Sequence, residues 1–133
     1  MADDNAAPGR STFLAIEPQL YVSDIEAACE YYGERLGFTV AFVYGDPPYY
    51  AQVFRDGVQM NLRHVERLPF DSEFRAREED ALSATIIVED AQQLAAEFEA
   101  SGALFHQPLR TEEWGTKTII VADPDGNLVA FAS

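Results

Sequence analysis

The sequence has little positive charge, a single cysteine and no long hydrophobic run. Only 9 of its 133 residues are Lys or Arg, whereas 23 are Asp or Glu, so the formal net charge is −14. This charge repels phosphate backbones and anionic lipid, which argues against nucleic acid and membrane surfaces as partners. No apolar stretch reaches the roughly 20 residues of a membrane-spanning helix. Because Cys29 is alone, no intrachain disulfide can form, and we expect a reducing, cytoplasmic compartment.

Residues that carry catalytic chemistry are also scarce. The chain shows no nucleophile–base pair, phosphate-binding loop or pair of carboxylates that would name a reaction. Cys29 lies on the apolar face of a predicted helix, which indicates a small buried residue and not a nucleophile. The only histidines, His64 and His106, are interpreted as surface or structural residues. These patterns predict no catalytic residue and no cofactor.

The amino-terminal residues lack the apolar core of a signal peptide. They contain Asp3 and Asp4, and we predict a disordered tail over residues 1–12. Hydrophobic residues make up 47% of the chain, which is enough for residues 13–133 to fold as a single domain with a sizeable core.

Residues 123–127 (Asp-Pro-Asp-Gly-Asn) carry the clearest local signal that the sequence does contain. Pro124 presets φ for a type I turn, and Asp123 can accept hydrogen bonds from the turn backbone. Gly126 can take the positive φ that returns the chain to a sheet. Strand-forming residues flank the turn on both sides. The segment therefore predicts a β-hairpin near the end of the chain.

Two helices are predicted from their start and stop signals. Ser23 with Glu26 has the spacing of a capping box, and Gly37 would follow the end of this first helix. Asp90 repeats the start signal, and Gly102 would close the second helix.

Five further strands are predicted at residues 17–22, 38–44, 49–55, 58–64 and 83–88. A loop is predicted through Pro108, before the final hairpin. Residues 66–81 are highly charged and show no periodicity, which predicts a solvated connector pinned to the body by Phe70 and Phe74.

The chain contains the same pattern twice. The segment at residues 22–24 matches residues 88–90, and each opens a helix that ends at a glycine. The Asp-Gly pair at residues 56–57 matches the pair at residues 125–126, and each turns into a last strand. We therefore predict an α+β fold of two βαβββ modules, residues 13–65 and 82–132, joined by the connector at residues 66–81. Their curved mixed sheets would carry helices outside and a concave ligand-binding face.

The sequence resembles the vicinal oxygen chelate superfamily, which includes glyoxalases, bleomycin-resistance proteins and extradiol dioxygenases. The resemblance rests on residues 20–24 (Leu-Tyr-Val-Ser-Asp), on Tyr31-Tyr32 with Leu36-Gly37-Phe38, and on residues 123–127 after Trp114-Gly115. The last of these is closest to the bleomycin-resistance branch.

The resemblance also implies where a metal would bind. Each module of a metal-dependent member supplies ligands from its first and last strands, and the matching positions here are Glu17, Asn61, Ser83 and Ala130. One carboxylate, one amide, one hydroxyl and one methyl group do not make a site for iron, nickel or zinc. We therefore predict no metal, and we expect Glu17 and Ser83 to be polar groups of a pocket. His64 should lie on the face opposite Asn61, because the two positions differ by an odd number of residues in one strand.

A pocket lined by aromatic and polar groups then remains. Val40, Phe42 and Tyr44 should share one strand face, Tyr49 and Tyr50 follow the Pro-Pro turn, and the resemblance points Asn61 inward. Aromatic rings of this kind can stack on a flat ligand and attract a cation. The predicted ligand-binding residues are Phe42, Tyr44, Tyr49, Tyr50, Asn61, Trp114 and Gly115. For Trp114 two interpretations stand, a pocket wall and a cap on the hydrophobic core.

The bleomycin-resistance branch implies a function. Its members bind a flat, cationic glycopeptide at the subunit interfaces of a homodimer and do not alter it. The resemblance thus implies a metal-independent antibiotic-binding protein that sequesters a bleomycin-like small molecule as a homodimer. The alternatives are a metal-independent enzyme using Glu17 as a base, a metal-dependent lyase or dioxygenase of the glyoxalase type, and a regulatory module without a small ligand.

Overall fold

Eight strands and three helices build the part of the chain that the structure describes. The structure is a computed structural model, and it describes residues 9–67 and 71–133. No helix in these residues is long and apolar enough to cross a membrane. The elements in chain order are β1 (Gln19–Val22), α1 (Ile25–Glu34), β2 (Thr39–Tyr44), β3 (Tyr50–Arg55), β4 (Val58–His64), α2 (Ser72–Arg77), β5 (Ala84–Ile87), α3 (Ala91–Ser101), β6 (Leu104–Thr111), β7 (Lys117–Ala122) and β8 (Leu128–Ala132).

The strands form two sheets with the same topology. The first sheet has the order β1-β4-β3-β2 and the second the order β5-β8-β7-β6. In each sheet the first strand pairs in parallel with the last strand of its module, and all other pairs are antiparallel. The predicted α+β fold of two βαβββ modules is confirmed.

One hydrophobic core serves both modules. Alternation along β4 buries Met60 and Leu62, and alternation along β8 turns Val129 and Phe131 into the same core. The helices α1 and α3 each pack on the sheet of their own module. Phe98 of α3 meets Phe131 edge to face, with ring centroids 5.1 Å apart. We call the side of each sheet opposite its helix the open face, and both open faces point away from this core.

Hydrogen bonds between α1 and the β7–β8 turn tie the modules together. Tyr32 is fully buried and donates its hydroxyl hydrogen to Asp123 Oδ2 at 3.0 Å. Asp123 is 4% exposed, and its Oδ1 accepts the backbone N–H groups of Asp125 and Asn127. The Asn127 amide nitrogen donates to the Tyr21 carbonyl at 2.9 Å. The turn at residues 123–127, which was predicted as part of a hairpin, therefore also joins the two modules by hydrogen bonds.

Burial controls the protonation of this junction. Desolvation raises the pKa of Asp123 above its ordinary value, although the hydrogen bonds from Asn127, Tyr32 and Asp125 act in the opposite direction. Burial also raises the pKa of Tyr32 well above its ordinary value, with the nearby Asp123 charge adding to the shift. Tyr32 therefore stays a hydrogen-bond donor at any physiological pH.

Both helices begin where they were predicted to begin, but the residue that caps α1 differs from the prediction. Asp24, not Ser23, is the N-cap of α1, because its carboxylate accepts the Ala27 N–H at 3.1 Å. The Ser23 hydroxyl donates instead to Asp125 Oδ1 at 2.6 Å, across the module junction. Asp90 caps α3 as predicted and accepts the Gln93 N–H at 3.0 Å.

Two segments differ from their predicted structure. β6 runs through Pro108, where a loop was predicted, because an edge strand tolerates a missing N–H and the register shifts between Gln107 and Arg110. The connector contains the short helix α2, which starts at an Asp71 cap and buries no residue. Phe74 of α2 is 38% exposed, and Phe70 lies outside the described residues, as do residues 1–8 of the predicted tail.

A β-bulge corrects the prediction for β2. Val40 pairs with the buried Val53, whereas Phe42 pairs with Gln52, and the register shifts between them. Because Gln52 and Val53 point to opposite sides of the sheet, Val40 does not share a face with Phe42. Tyr44 pairs with Tyr50 and does share the open face with Phe42.

Candidate functional site

Two rows of side chains cross the open face of the first sheet. The strand register sets them, because paired residues in neighbouring strands point to the same side. The residues that alternate with them are in the core, so these rows face outward. The first row is Gln19, Asn61, Gln52 and Phe42, and the second is Tyr21, Arg63, Tyr50 and Tyr44.

A hydrogen-bonded cluster occupies the first row. Glu17 Oε1 accepts from Asn61 Nδ2 and from Gln52 Nε2, both at 3.2 Å. Gln52 Nε2 also lies 3.1 Å from Asn61 Oδ1. The carboxylate of Glu17 is itself exposed, so it presents a negative charge at the edge of this face, held in place by two neutral amides.

Aromatic rings continue the face beyond the cluster. Phe42 is 44% exposed and lies against Tyr50, with ring centroids 6.1 Å apart and planes inclined by 32°. Tyr44 and Tyr49 are 62% and 49% exposed and meet edge to face at 5.6 Å. Four rings thus form an accessible wall on the same face as Gln52 and Asn61, the partners of Glu17, which suits a flat ligand that carries positive charge.

The open face of the second sheet has a different character. Thr85, Ala130, Ile120 and Gln107 form the row that matches the first row of the first sheet. Ile120 and Ala130 form a small apolar cluster together with Leu128, each 4–5% exposed, and Ala122 packs against it. The two modules therefore share a fold but differ here, because the first open face is polar, aromatic and accessible, whereas the centre of the second is apolar and already buried within the chain.

Trp114 and Gly115 lie in the turn between β6 and β7. Trp114 is 75% exposed, which rules out its alternative interpretation as a cap on the core of this chain. Gly115 has φ +95° and donates its N–H to the Glu112 carbonyl at 2.9 Å. The Glu112 carboxylate accepts from Thr118 at 3.1 Å and from Arg110 at 2.8 Å, so it holds the hairpin that carries the tryptophan.

The positions that match metal ligands do not fit a metal. Glu17 and Asn61 are together on the first sheet, whereas the Ser83 hydroxyl donates to Asn127 at 3.2 Å and Ala130 offers only a methyl group. Within residues 9–67 and 71–133, no three His, Cys, Asp or Glu side chains are grouped so that they could hold an ion. A single carboxylate with amide neighbours is not a donor set for iron, nickel or zinc.

The histidines and the cysteine have structural surroundings. His64 Nδ1 lies 3.0 Å from the Ser23 carbonyl and Nε2 lies 3.1 Å from Glu66, away from the open face as predicted. His106 is in β6 and not in a loop, and its Nε2 lies 2.9 Å from Asp80. Cys29 packs against the core, and burial raises the pKa of its thiol, which lowers its reactivity at neutral pH.

Sequence reasoning named part of this site. Phe42, Tyr44, Tyr50 and Asn61 do come together on one open face, with Tyr49 at its rim. It missed the participants Gln52, Arg63 and Tyr21. Alternation was the available signal, because Gln52 stands between Ala51 and Val53, both fully buried.

Comparison with known proteins agrees with this architecture. The Glyoxalase/Bleomycin resistance protein/Dioxygenase superfamily matches residues 13–131. A sequence search of curated proteins gave no significant match.

Solved structures with the same fold include a bleomycin-binding protein, a bleomycin resistance determinant and TioX. The bleomycin-binding protein of bleomycin-producing Streptomyces verticillus, complexed with copper(II)-bleomycin, is 24% identical with a TM-score of 0.70, and the match covers 92% of this chain and 97% of that one. The bleomycin resistance determinant encoded on transposon Tn5 is 17% identical with a TM-score of 0.71, over 91% and 98% of the two chains. TioX from Micromonospora sp. ML1 is 20% identical with a TM-score of 0.68, over 86% and 93%.

At these identities the structural likeness shows the fold alone, while the superfamily match spans nearly the whole chain. The chain belongs to the glyoxalase/bleomycin resistance protein/dioxygenase superfamily.

Proposed function

We propose that the protein binds a flat, cationic small molecule of the bleomycin type and sequesters it without altering it. The observation that carries this proposal is the open face of the first sheet, where Phe42, Tyr44 and Tyr49 keep about half of their surface accessible and Gln52 and Asn61 hold the Glu17 carboxylate. Monomeric proteins rarely expose several large aromatic side chains together on one face, and such a patch usually marks a binding surface. Bleomycin-binding proteins of the same fold support the choice of ligand class.

The charge of the protein favours a cation, although one side chain of the site opposes it. The net charge of −14 raises the local concentration of cations around the whole chain. Within the second row, however, Arg63 stands between Tyr21 and Tyr50. A ligand with one cationic end and one polar or anionic end would place its cation near Glu17 and its opposite end near Arg63.

A homodimer completes the pocket in this proposal. Each chain offers one accessible polar, aromatic wall on the first sheet, whereas the centre of the second open face is already buried within the chain. Two copies related by a two-fold axis would place the first open face of each against the exposed β6–β7 turn of the other, giving two equal pockets. Trp114, on the second module, would then reach the ligand from the partner chain.

The segment before β1 supports the dimer. Phe13, Leu14 and Ile16 are 96%, 92% and 90% exposed, in a stretch without regular structure that leads directly into Glu17. We call residues 12–16 the arm. Three large apolar side chains within four residues are costly to leave in water, because burying each one fully would contribute about 1.5–3 kcal/mol. In the proposed dimer the arm lies along the second module of the partner.

The alternative is an enzyme of the same fold, a glyoxalase- or dioxygenase-like lyase or a metal-independent enzyme with Glu17 as its base. The residue types at the four ligand-matching positions count against the metal-dependent form. Glu17 accepts hydrogen bonds from the amide groups of Gln52 and Asn61, and no Ser, Cys or His side chain is hydrogen-bonded to it within residues 9–67 and 71–133. Sequestration remains the better supported function.

Titration with metal-free bleomycin tests the proposal. We expect Phe42→Ala and Tyr44→Ala each to weaken binding by roughly 1–3 kcal/mol, the value of a stacked aromatic ring. Val43→Ala is the matched control, because Val43 lies between them and pairs with the buried Ala51, so it points to the opposite side of β2. Mass spectrometry of the ligand after incubation should show no change.

Two outcomes would overturn the proposal. Equal affinity of the two aromatic variants and the control would remove the open face as the binding site. Conversion of the ligand at a rate proportional to protein concentration would favour the enzyme.

A further inference from the structure

A cavity lies between the two modules. Its volume is about 480 Å³, within the range of small-molecule sites. The β3–β4 turn forms one wall, and the end of β5 with the first turns of α3 forms the other. None of the eight residues in the two rows of the first open face lines it. We call this cavity the inter-module crevice.

The floor of the crevice is apolar. Phe38, Ile86 and Leu94 retain 6–8% of their surface at its base, and the half-buried Val58 and Val88 stand above them on opposite walls. A ring or short aliphatic body placed here would leave water and gain about 25 cal/mol for each Å² of apolar surface removed from it.

The rim of the crevice is acidic. Four carboxylates line it, against a single cation, Arg55, and these carboxylates are Asp56, Glu89, Asp90 and Glu97. The Arg55 guanidinium is already engaged, since it donates to both Glu97 oxygens at 2.7 and 2.9 Å and to the Leu36 carbonyl at 3.0 Å. Arg55 and Glu97 therefore largely neutralise each other, while the neighbouring Asp56 charge makes a smaller contribution to the raised pKa of Arg55.

The remaining carboxylates leave a net negative charge at the opening. Asp90 accepts the Gln93 N–H as the cap of α3, so part of its charge is balanced by the helix terminus. Asp56 and Glu89 are exposed, stand on opposite walls, and form no ion pair with a residue in the described ranges. A cation between them would be attracted from both sides while its apolar part contacts the floor.

We propose that the inter-module crevice is a second binding site that takes an organic cation with a compact apolar body, held by the apolar floor and by Asp56 and Glu89. This site is independent of the proposed open-face site, with which it shares no aromatic residue. It also bridges the modules, so an occupant contacts β3–β4 of one and α3 of the other and favours their packed arrangement.

The probe for the test is 1-naphthylmethylammonium, compared with the neutral 1-naphthylmethanol of nearly the same shape. In ¹H–¹⁵N spectra of the whole protein, we expect the cation to shift the amides of Gly57, Glu89 and Gln93. The double variant Asp56→Asn/Glu89→Gln should bind the cation at least tenfold more weakly, since each carboxylate within about 6 Å of the charge is worth roughly threefold or more even at the dielectric of water. The alcohol should bind the variant and the parent protein equally.

The variants are chosen so that folding does not obscure the result. Asp56 has φ +50°, a conformation that asparagine also tolerates, and Glu89 is exposed in a bend before α3. Glu17→Gln is the control on the open face and should leave the naphthylmethylammonium affinity unchanged. The double variant is also titrated with bleomycin, to separate the two sites. If it loses affinity for naphthylmethylammonium but binds bleomycin as the parent protein does, the effect of the substitutions is confined to the crevice.

Three results would overturn this proposal. One is equal affinity for the cation and the alcohol. Another is a set of amide shifts confined to β2 and β3 of the open face. The third is a double variant that gives a native spectrum and binds the cation as tightly as the parent protein.

Discussion

At the scale of single residues, Trp114 shows how exposure separates a structural role from a binding role. Its side chain is 75% exposed at the tip of a hairpin that is held from below by Glu112. Truncation therefore removes little buried surface. We expect Trp114→Ala to change the free energy of unfolding by no more than about 0.5 kcal/mol, as for other surface sites.

The same substitution should affect ligand binding. If Trp114 reaches the pocket of a partner chain, Trp114→Ala weakens bleomycin binding by roughly 1–3 kcal/mol. Urea melts and a fluorescence titration measure the two quantities separately. Phe74→Ala, an exposed aromatic on α2, is the control. Unchanged affinity in Trp114→Ala would remove this residue from the site.

Asp123 provides a prediction about pH. Burial raises its pKa in the folded protein, so the native state holds this proton more tightly than the unfolded state does. The stabilising contribution of Asp123 protonation is complete below the ordinary value of 3.8 and is lost as the pH rises through the raised folded value. Asp123→Asn does not titrate. The stability advantage of the wild type over this variant should therefore grow as the pH falls from 7 toward 4.

Asp123→Asn should also be less stable at neutral pH. In the wild type, Asn127 Nδ2 donates to Asp123 Oδ2 at 2.9 Å. In the variant, the new amide group would present hydrogens toward this donor. Leaving a buried donor unpaired costs about 1–3 kcal/mol. Tyr32→Phe is the matched control, because it removes one donor at 3.0 Å but keeps the titrating carboxylate. A wild-type advantage that stays constant between pH 7 and pH 4 would contradict the burial argument.

At the scale of elements, the sequence predicted what is encoded within a few neighbouring residues. The Asp90 cap, the Gly102 terminus and the turn at residues 123–127 each depend on contacts over three to five positions. They were found because local hydrogen bonding and the positive φ of glycine limit the alternatives. The repeat of these signals then predicted the two modules and the succession of elements along each, but not the order of the strands within the sheets.

The elements that were missed depend on contacts across the sheet. The bulge in β2 arises from its pairing with β3, and the residues of β2 carry no local pattern that predicts it. β6 passes through Pro108 because it is an edge strand, a fact about its neighbours. Gln52 joins the site partly through Glu17, which is 35 positions away in the chain. For the same reason the local pattern did not reveal the crevice, whose walls come from separate modules.

The arm supplies the prediction for this scale. In the single chain Phe13, Leu14 and Ile16 contact almost nothing, so replacing all three with serine should leave the free energy of unfolding of the monomer nearly unchanged. In the proposed dimer the same change removes buried apolar surface from two arms. Sedimentation velocity should show the wild type as a dimer at micromolar concentrations and the triple variant shifted toward monomer. A wild type that is monomeric throughout this range would refute the dimer.

At the scale of the whole molecule, the donor set leads us to expect no resident metal. Elemental analysis of protein purified without chelator should find no stoichiometric iron, nickel or zinc. Protein refolded with each metal and then desalted is the control for weak binding. One tightly held ion per chain would revive the metal-dependent alternative and would direct attention to Glu17, the only carboxylate at the four matching positions.

The hydrogen bonds between the modules have a further consequence if the polypeptide is broken between them. Tyr32, Arg35 and Arg55 in the first half are bonded to Asp123, Ser101 and Glu97 in the second, and a break in the peptide between residues 67 and 71 would cut none of these contacts. The two halves could then be produced as separate polypeptides that reassemble when mixed, losing only the high effective concentration that the tether provides. The protein would then serve as a split-protein system, in which binding of one fragment reports the presence of the other.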